Sequence, residues 1–402
     1  MILRYKGVFA VPYRMVSLFT GAGGLDYGFE AAGFEPCVGL EIDSDCCATV
    51  SRNRQWPVIN KDIHDTTSRE ILDTGYLRRD EIDLLVGGPP CQPFSKSGYW
   101  YSGDSGRLDD DRSNTLGAYM RCVSELLPTV FVLENVHGIN YSGKEDGFVL
   151  LRQLTEEINR QNGTNYSLSW KVINTADFGV PQSRQRFVLV GHIGGRVFEF
   201  PPSTHFPPDD TENERGQNLY ITAWDAIGRD DLTEPAEDLR VRGKWADLLP
   251  SIPEGENYLW HTRRKGGLSL FGWRTRYWNF LLKLAKNKVS WTIQAQPGPS
   301  VGPFHWENRL LSVKEMARLQ TFPDDVIFSG KRGSVQKQIG NAFPSLASEV
   351  LGRAILTQIF DEQFVSGPTL AIEYDRPIPP PEPINAVPTK YFHLVGDHPD
   401  HD

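Results

Sequence analysis

Short apolar runs alternate along the chain with longer stretches of helical periodicity. The runs are strand-length and rich in Val, Leu, Ile and Phe, and polar or Gly-rich connections separate them from the helical patterns. This alternation is typical of βα units, so it predicts an α/β fold with a mainly parallel sheet. The predicted strands are 15–19 (MVSLF), 37–41 (CVGLE), 83–87 (DLLVG), 130–135 (VFVLEN) and 187–192 (FVLVGH).

Three helices are predicted from apolar spacing or from the residues that begin them. Residues 115–127 and 345–360 each carry an apolar stripe at helical spacing. Ser312 followed by Glu315 forms a capping box, which predicts a helix that begins there. The first stripe consists of Leu116, Tyr119, Met120, Val123 and Leu127, and the second of Leu351, Ala354, Ile355 and Ile359.

The character of the sequence changes at about residue 200. A Pro-rich polar linker (FPPSTHFPPDDTENERG) comes first, and six of the ten tryptophans then lie between Trp245 and Trp306. We therefore expect residues 201–308 to form a second, smaller and more irregular domain. Residues 366–402 include RPIPPPEPINAVP, which predicts an acidic, Pro-rich polar tail without a core of its own.

Charge is distributed unevenly over the 402 residues. The formal net charge is −9, which taken alone argues against a nucleic-acid partner. Residues 241–310, however, hold eleven Lys or Arg against four Asp or Glu, whereas residues 361–402 hold eight acids against two bases. A basic stretch inside an acidic protein is compatible with a phosphate-binding face, so net charge does not exclude DNA.

Cysteine usage and hydropathy indicate the compartment. The five cysteines form no CxxC pair and no Cys/His cluster with zinc spacing. No apolar run is long enough to span a bilayer, and the first residues lack the apolar core of a signal peptide. We expect a reduced cytoplasmic protein, associated with the nucleoid if DNA is its partner, with no membrane and no metal.

A Gly-rich turn follows the first predicted strand in SLFTGAGGLDYGF. Gly21, Gly23 and Gly24 allow a ligand to approach the backbone closely, with the amides of a helix beyond. Glu41 ends the next strand, where a carboxylate accepts hydrogen bonds from a ribose, and Asp62 could reach an adenine amine. The turn alone could be purely structural, but the three features together predict an adenosine site.

A cysteine in VGGPPCQPFSKSG lies where neither helix nor strand can bury it. Cys91 follows the third predicted strand, and Glu134 and Asn135 end the fourth at the same sheet edge. Alone, each is explained by a buried thiol or a capping acid; together they predict a nucleophile with an acid partner. The segment PQSRQRF adds Gln182 and two arginines on one face of an extended chain, Arg184 and Arg186, which suit phosphate or carbonyl oxygens.

These motifs resemble the cytosine-5 DNA methyltransferases of the bacterial restriction-modification type. FTGAGG, GLEID, GGPPCQPFS, LENVHG, QSRQR, RLLSVKEMARLQTFPDD and QIGNAFP occur in the family's order, from about Met15 to Phe360. One departure is Phe343, where the family usually has valine. The resemblance implies a Rossmann-like S-adenosylmethionine-dependent methyltransferase fold with a discontinuous catalytic domain, 12–200 plus 309–365, and a target-recognition domain at 201–308.

The resemblance also implies a role for each matching residue. Cys91 would be the thiolate that attacks carbon 6 of cytosine, Glu134 would protonate ring nitrogen 3, and Arg184 and Arg186 would orient the base. We expect burial to raise the pKa of Glu134. The implied cofactor-binding residues are Phe19, Gly21, Gly23, Gly24, Leu25, Glu41, Ile42, Asp62, Ile63, Pro89 and Asn341.

The partner implied by the resemblance is double-stranded DNA, with the target cytosine flipped out of the helix. The loop after Cys91 would close over that base, and a cognate restriction endonuclease would act on the same site without a stable complex. Two alternatives remain: a tRNA cytosine-5 methyltransferase of the same family, and a DNA-binding regulator without turnover. The expected DNA-contacting residues are Ser95, Gln182, Arg263, Arg264, Arg274 and Arg276.

Overall fold

The computed structural model describes most of the chain: residues 12–90, 114–136, 146–208, 218–228, 232–233, 237–373 and 376–400. Cys91 and Ser95 lie outside the described residues, as does the loop that follows Cys91. In the part that is described, no helix is both long and apolar enough to cross a membrane.

A seven-stranded sheet forms the centre of the molecule, in the order β3-β2-β1-β4-β5-β7-β6. Strands β1 to β5 are parallel, whereas β7 runs antiparallel to both β5 and β6. The predicted mainly parallel α/β fold is therefore confirmed, and all five predicted strands are present. The strands are β1 Tyr13–Leu18, β2 Phe34–Glu41, β3 Val58–Asn60, β4 Leu84–Gly87, β5 Val130–Val136, β6 Ser167–Asn174 and β7 Gln185–His192.

Two strands of this sheet were not predicted, and both lie at its edges. β3 has only three residues, which is too short for a recognisable apolar pattern. β6 (SLSWKVIN) has mostly exposed or half-buried side chains, because it pairs on one side only. A further pair of two-residue strands, β8 His205–Phe206 and β9 Asn218–Leu219, lies outside the sheet.

Helices cover both faces of the sheet. The three predicted helices are present: residues 115–127 correspond to α4, the capping box of Ser312 and Glu315 begins α7, and the stripe at 345–360 forms α9. The described helices are α1 Gly24–Ala32, α2 Ser44–Asn53, α3 Ser68–Thr74, α4 Asn114–Leu126, α5 Asp146–Asn162, α6 Ala223–Ile227, α7 Val313–Leu319, α8 Arg332–Asn341 and α9 Ser345–Phe360. Short 3-10 turns, including Ala246–Ser251, Tyr258–His261 and Thr389–Leu394, supply regular structure elsewhere.

The closing helix α9 packs against the first helix α1. Leu351 and Ile355 are buried in the same core as Phe29 of α1. A methyl group at Gly28 would overlap the carbonyl oxygen of Ser345, so the two helices approach each other at a glycine. This contact covers one face of the sheet with residues from opposite ends of the described chain.

A second cluster of aromatic side chains forms the core of residues 241–310. Trp245, Tyr258, Phe271 and Phe280 contact one another edge-on or tilted, with ring centroids 5.2–6.0 Å apart. The segment that was expected to lack a core contributes Tyr391, which is 3% exposed and stacks on Trp245. Residues of the expected tail therefore pack into the core of residues 241–310, which we call the small unit.

Candidate active site

The glycine turn after β1 is shaped by residues in the left-handed region of backbone space. Phe19 has φ of +54°, Gly21 of +56° and Gly23 of +87°, and Gly23 caps α1. A Cβ atom at Gly24 would lie 2.6 Å from the carbonyl oxygen of Phe343, so this position accepts only glycine. The turn thus lies against the residues that immediately follow Asn341.

Glu41 connects this turn to the end of β2. One carboxylate oxygen accepts from the N–H of Gly21 at 2.8 Å and the other from the N–H of Asp43 at 2.8 Å. Burial raises the pKa of Glu41, and the two N–H donors oppose that rise. The neighbouring Ile42 exposes 64% of its surface, which leaves an apolar side chain beside the carboxylate.

Asp62 lies at the end of β3, next along this edge. Its carboxylate accepts from the backbone N–H of His64 at 2.9 Å and contacts the ring Nδ1 of His64 at 2.7 Å. The backbone N–H of His64 lowers the pKa of Asp62, so this carboxylate is ionised at neutral pH. The side chain of Ile63 is buried in the core, whereas Leu25 is half-buried at the start of α1.

The turn that precedes Cys91 is fixed from two neighbouring elements. Asn135 at the end of β5 donates to the carbonyl oxygen of Pro89 at 3.2 Å, and Thr115 of α4 donates to that of Pro90 at 3.1 Å. A Cβ atom at Gly88 would lie 2.9 Å from Oε2 of Glu134. The backbone at Gly88 and the Glu134 carboxylate are therefore in close contact.

Glu134 forms an ion pair with Arg186 across β5 and β7. Oε1 of Glu134 lies 2.8 Å from Nε of Arg186, and the two side chains are only 12% and 14% exposed. Burial raises the pKa of Glu134, and the cations of Arg186 and Arg184 partly oppose this. A buried acid with a raised pKa beside a cation can hold or deliver a proton.

Arg184 is buried, and only part of its hydrogen-bonding capacity is used within the part of the chain that the structure describes. Its Nη2 donates to the carbonyl oxygen of Gly340 at 2.8 Å, next to Asn341 at the end of α8. Nε and Nη1 have no hydrogen-bond partner within the described residues. Buried N–H groups are rarely left unpaired, so these two donors suit an oxygen-bearing ligand.

Of the other residues expected to contact DNA, one is buried and four are exposed. Gln182 is fully buried, and its amide donates to the carbonyl oxygen of Leu319 and accepts from the N–H of Ile293, which leaves it no surface for DNA. Arg274 and Arg276 are exposed on the small unit, where the guanidinium of Arg276 lies 5.8 Å from the ring of Tyr277. Arg263 and Arg264 are exposed as well, but acidic residues pair with both.

Sequence reasoning did not identify two residues that shape this site. Gly88 provides the space for the Glu134 carboxylate, and the only feature of the sequence that pointed to it was the position of a glycine directly after a strand. Gly340 supplies the carbonyl oxygen that holds Arg184, and a backbone acceptor has no residue signature. Within the described ranges, no group of three or more His, Cys, Asp and Glu residues could hold a metal ion.

A mainly parallel sheet that carries a glycine turn, two carboxylates and a buried acid–guanidinium pair at one edge is the architecture of the Rossmann-like methyltransferase class. Residues 13–357 match the family model of the C-5 cytosine-specific DNA methylases. The chain belongs to this family, which confirms the resemblance seen in its motifs, and it is a DNA (cytosine-5)-methyltransferase.

Similarity to individual proteins supports this assignment. The chain is 37% identical over 375 residues to the Type II methyltransferase M.SacI of Streptomyces achromogenes, covering 86% of this chain and 93% of that protein. It is 32% identical over 358 residues to the Type II methyltransferase M.NgoFVII of Neisseria gonorrhoeae, covering 87% and 88%. The methyltransferase EhMeth of Entamoeba histolytica shares the fold, with a TM-score of 0.57 at 14% identity over 87% of this chain and 99% of that chain.

Proposed function

We propose that this enzyme transfers the methyl group of S-adenosylmethionine to carbon 5 of a cytosine that is flipped out of a short, specific duplex DNA site. Methylation would protect that site from a cognate Type II restriction endonuclease. The observation that carries the proposal is the Glu134 carboxyl, buried beside Arg186 and in contact with the turn that leads directly into Cys91.

The residues around the glycine turn fit S-adenosylmethionine. Glu41 and Asp62 present carboxylates for the ribose and the adenine, and the exposed Ile42 offers an apolar surface for the ring. Gly21 and Gly23 leave space beside the first amides of α1 for the methionine part, with Asn341 nearby. When bound, S-adenosylmethionine supplies the electrophilic methyl group.

Cys91 and Glu134 would act on the pyrimidine ring itself. The Cys91 thiolate forms a bond to carbon 6 while Glu134 delivers a proton to ring nitrogen 3, and the ring loses its aromaticity. The electron pair of the resulting enamine would let carbon 5 take the methyl group, while the bond between that methyl group and the sulfur of S-adenosylmethionine would break and leave its electron pair on the sulfur. A base then removes the proton from carbon 5 and the bond to the Cys91 sulfur breaks. Ring nitrogen 3 returns its proton to Glu134, so that the released thiolate and the protonated acid are ready for another cycle.

The two arginines would position the base for this attack. Arg186 holds the Glu134 carboxyl in place at 2.8 Å. The unpaired N–H groups of Arg184 suit the exocyclic oxygen of cytosine or a nearby phosphate oxygen. Because these donors are buried, each contact would be stronger than at a hydrated surface.

A mechanism-based trap tests the proposal. Duplex DNA that contains 5-fluorocytosine cannot lose the carbon 5 substituent as a proton, so the enzyme should remain covalently attached in the presence of S-adenosylmethionine. We expect a denaturation-resistant complex for the wild type and none for Cys91→Ser, which should still bind duplex DNA. A wild-type enzyme that forms no complex with a library of DNA sites, or that methylates only tRNA, would overturn the proposal.

A further inference from the structure

Three donors of the small unit converge on one carboxylate. The side chain of Asp400 accepts from Nη2 of Arg263 at 3.1 Å, from Nε of Arg264 at 2.8 Å and from the backbone N–H of Trp273 at 3.0 Å. Asp400 is only 12% exposed, whereas the two arginine side chains remain 54% and 43% exposed. We call these three donors the anion cradle.

Two of the three donors, Arg264 and the N–H of Trp273, are also held by contacts that do not involve Asp400. The guanidinium of Arg264 lies 4.9 Å from the centre of the Trp273 ring, which fixes its direction. The loop between the arginines and Trp273 is closed by the N–H groups of Leu270 and Phe271, which both donate to the carbonyl oxygen of His261. These two donors are therefore arranged in advance for an anion, whereas Arg263 contacts Asp397 at 3.4 Å as well as Asp400.

The segment 376–400, which carries Asp400, is anchored further back along the chain. Tyr391 is buried against Trp245, and its hydroxyl donates to the carbonyl oxygen of Lys244 at 2.8 Å. The buried Lys286 binds Glu382 and Glu254 at 2.8 Å each. The N–H of Gly396 also donates to the carbonyl oxygen of Ser269 at 3.1 Å, so Asp400 would leave the cradle through a movement of residues 397–400 alone.

We propose that the anion cradle is a binding site for a backbone phosphate of the substrate DNA, and that the Asp400 carboxylate occupies it until DNA displaces it. A phosphodiester presents the same pair of anionic oxygens to two guanidiniums and an N–H group. The cradle belongs to the stretch 241–310, in which basic residues outnumber acidic ones by eleven to four. This inference rests on the proposed function, because it requires duplex DNA to reach the small unit.

Charge-removing variants of the full-length chain test the cradle. Phosphate contacts dominate non-specific binding, so the probe is a random-sequence duplex titrated at several salt concentrations. We expect Asp400→Asn to tighten binding about two- to tenfold, since the competing carboxylate is lost. Replacing both arginines, Arg263→Ala with Arg264→Ala, should weaken binding and lower the salt slope by about one.

Two further variants separate the cradle from a general charge effect. Asp73→Asn with Asp80→Asn removes charge from two exposed positions between β3 and β4, and binding should not change. Gly272→Ala keeps all charges, but its methyl group would overlap the carbonyl oxygen of Pro399 and so displace Asp400, and binding should tighten. Thermal unfolding of each variant confirms that the fold is retained.

Every result of this experiment decides for or against the cradle. Weaker or unchanged binding by Asp400→Asn overturns it, because Asp400 would then only orient the arginines. Equal tightening by the control variant also overturns it. If the wild type methylates DNA but the cradle variants bind DNA like the wild type, the phosphate-binding role of the cradle is wrong and the proposed function is unaffected. If no DNA is methylated, the proposed function itself is wrong.

Discussion

Replacing Gly88 by alanine perturbs the Glu134 carboxylate directly. The added Cβ would lie 2.9 Å from Oε2 of Glu134, whereas ordinary contacts begin at 3.4 Å. The carboxylate must therefore move by about 0.5 Å. It cannot do so freely, because Arg186 holds its other oxygen at 2.8 Å.

A displacement of this size is expected to affect catalysis more than stability. A misplacement of about 1 Å at a reacting group can cost about a hundredfold in rate, so half of that predicts a loss of about tenfold in the single-turnover rate of methyl transfer. The backbone of Gly88 lies outside the left-handed region, and alanine restricts the unfolded chain by about 0.4–1 kcal/mol. This gain offsets part of the strain, and Tm should change by only a few degrees.

Single-turnover transfer of labelled methyl groups, together with thermal unfolding, measures both quantities. Gly333→Ala is the matched control, since a methyl group there meets nothing within 4 Å and the site is untouched. A wild-type single-turnover rate in Gly88→Ala would refute the reasoning. A large drop in Tm would refute it too, because the methyl group would then strain the fold rather than the carboxylate.

Substitutions at three other positions have clear expected outcomes. Because burial raises the pKa of Glu134 and its proton is required, single-turnover rates should fall as pH rises through that pKa. Glu134→Gln should remove this fall along with most of the activity, and an unchanged pH profile would contradict the role of Glu134 as the acid. Burial raises the pKa of Asp26 to about 7, so its ionisation opposes folding above about pH 4. Asp26→Asn should therefore raise the urea midpoint over that of the wild type at pH 8 but not at pH 4, and an equal shift at both pH values would argue against a raised pKa of Asp26. In urea titrations, Tyr391→Ala should lower the free energy of unfolding by about 3–5 kcal/mol, because the buried ring is lost. Tyr391→Phe should lower it by about 1 kcal/mol, because only the hydroxyl hydrogen bond is lost, and equal losses would contradict the stacking on Trp245.

The sequence was informative where the structure depends on local pattern. Buried strands such as β4 and β5 are continuous apolar runs, so their positions could be predicted. Their carboxyl ends predicted that Glu134 would lie beside the turn before Cys91, and the raised pKa of Glu134 follows from the same burial. The edge strand β6 has no such run and was missed.

Other contacts depend on residues far apart in the chain. The partner of Arg184 is a carbonyl oxygen 156 residues away, and backbone acceptors leave no trace in residue identity. The pairing of Asp400 with Arg263 and Arg264 joins positions 137 and 136 residues apart, and composition alone indicated only opposite charges in two stretches. The burial of Gln182 likewise follows from the meeting of two distant segments.

The packing of α9 against α1 has a consequence for how the enzyme is made. The hydroxyl of Ser345 donates to the carbonyl oxygen of Gly24, 321 residues earlier, so the wall behind the glycine turn is synthesised long after the turn itself. The residues of α9 must leave the ribosome before this groove closes, and such non-local contacts slow folding. A growing chain that ends before α9 therefore contains the glycine turn but not the wall behind it.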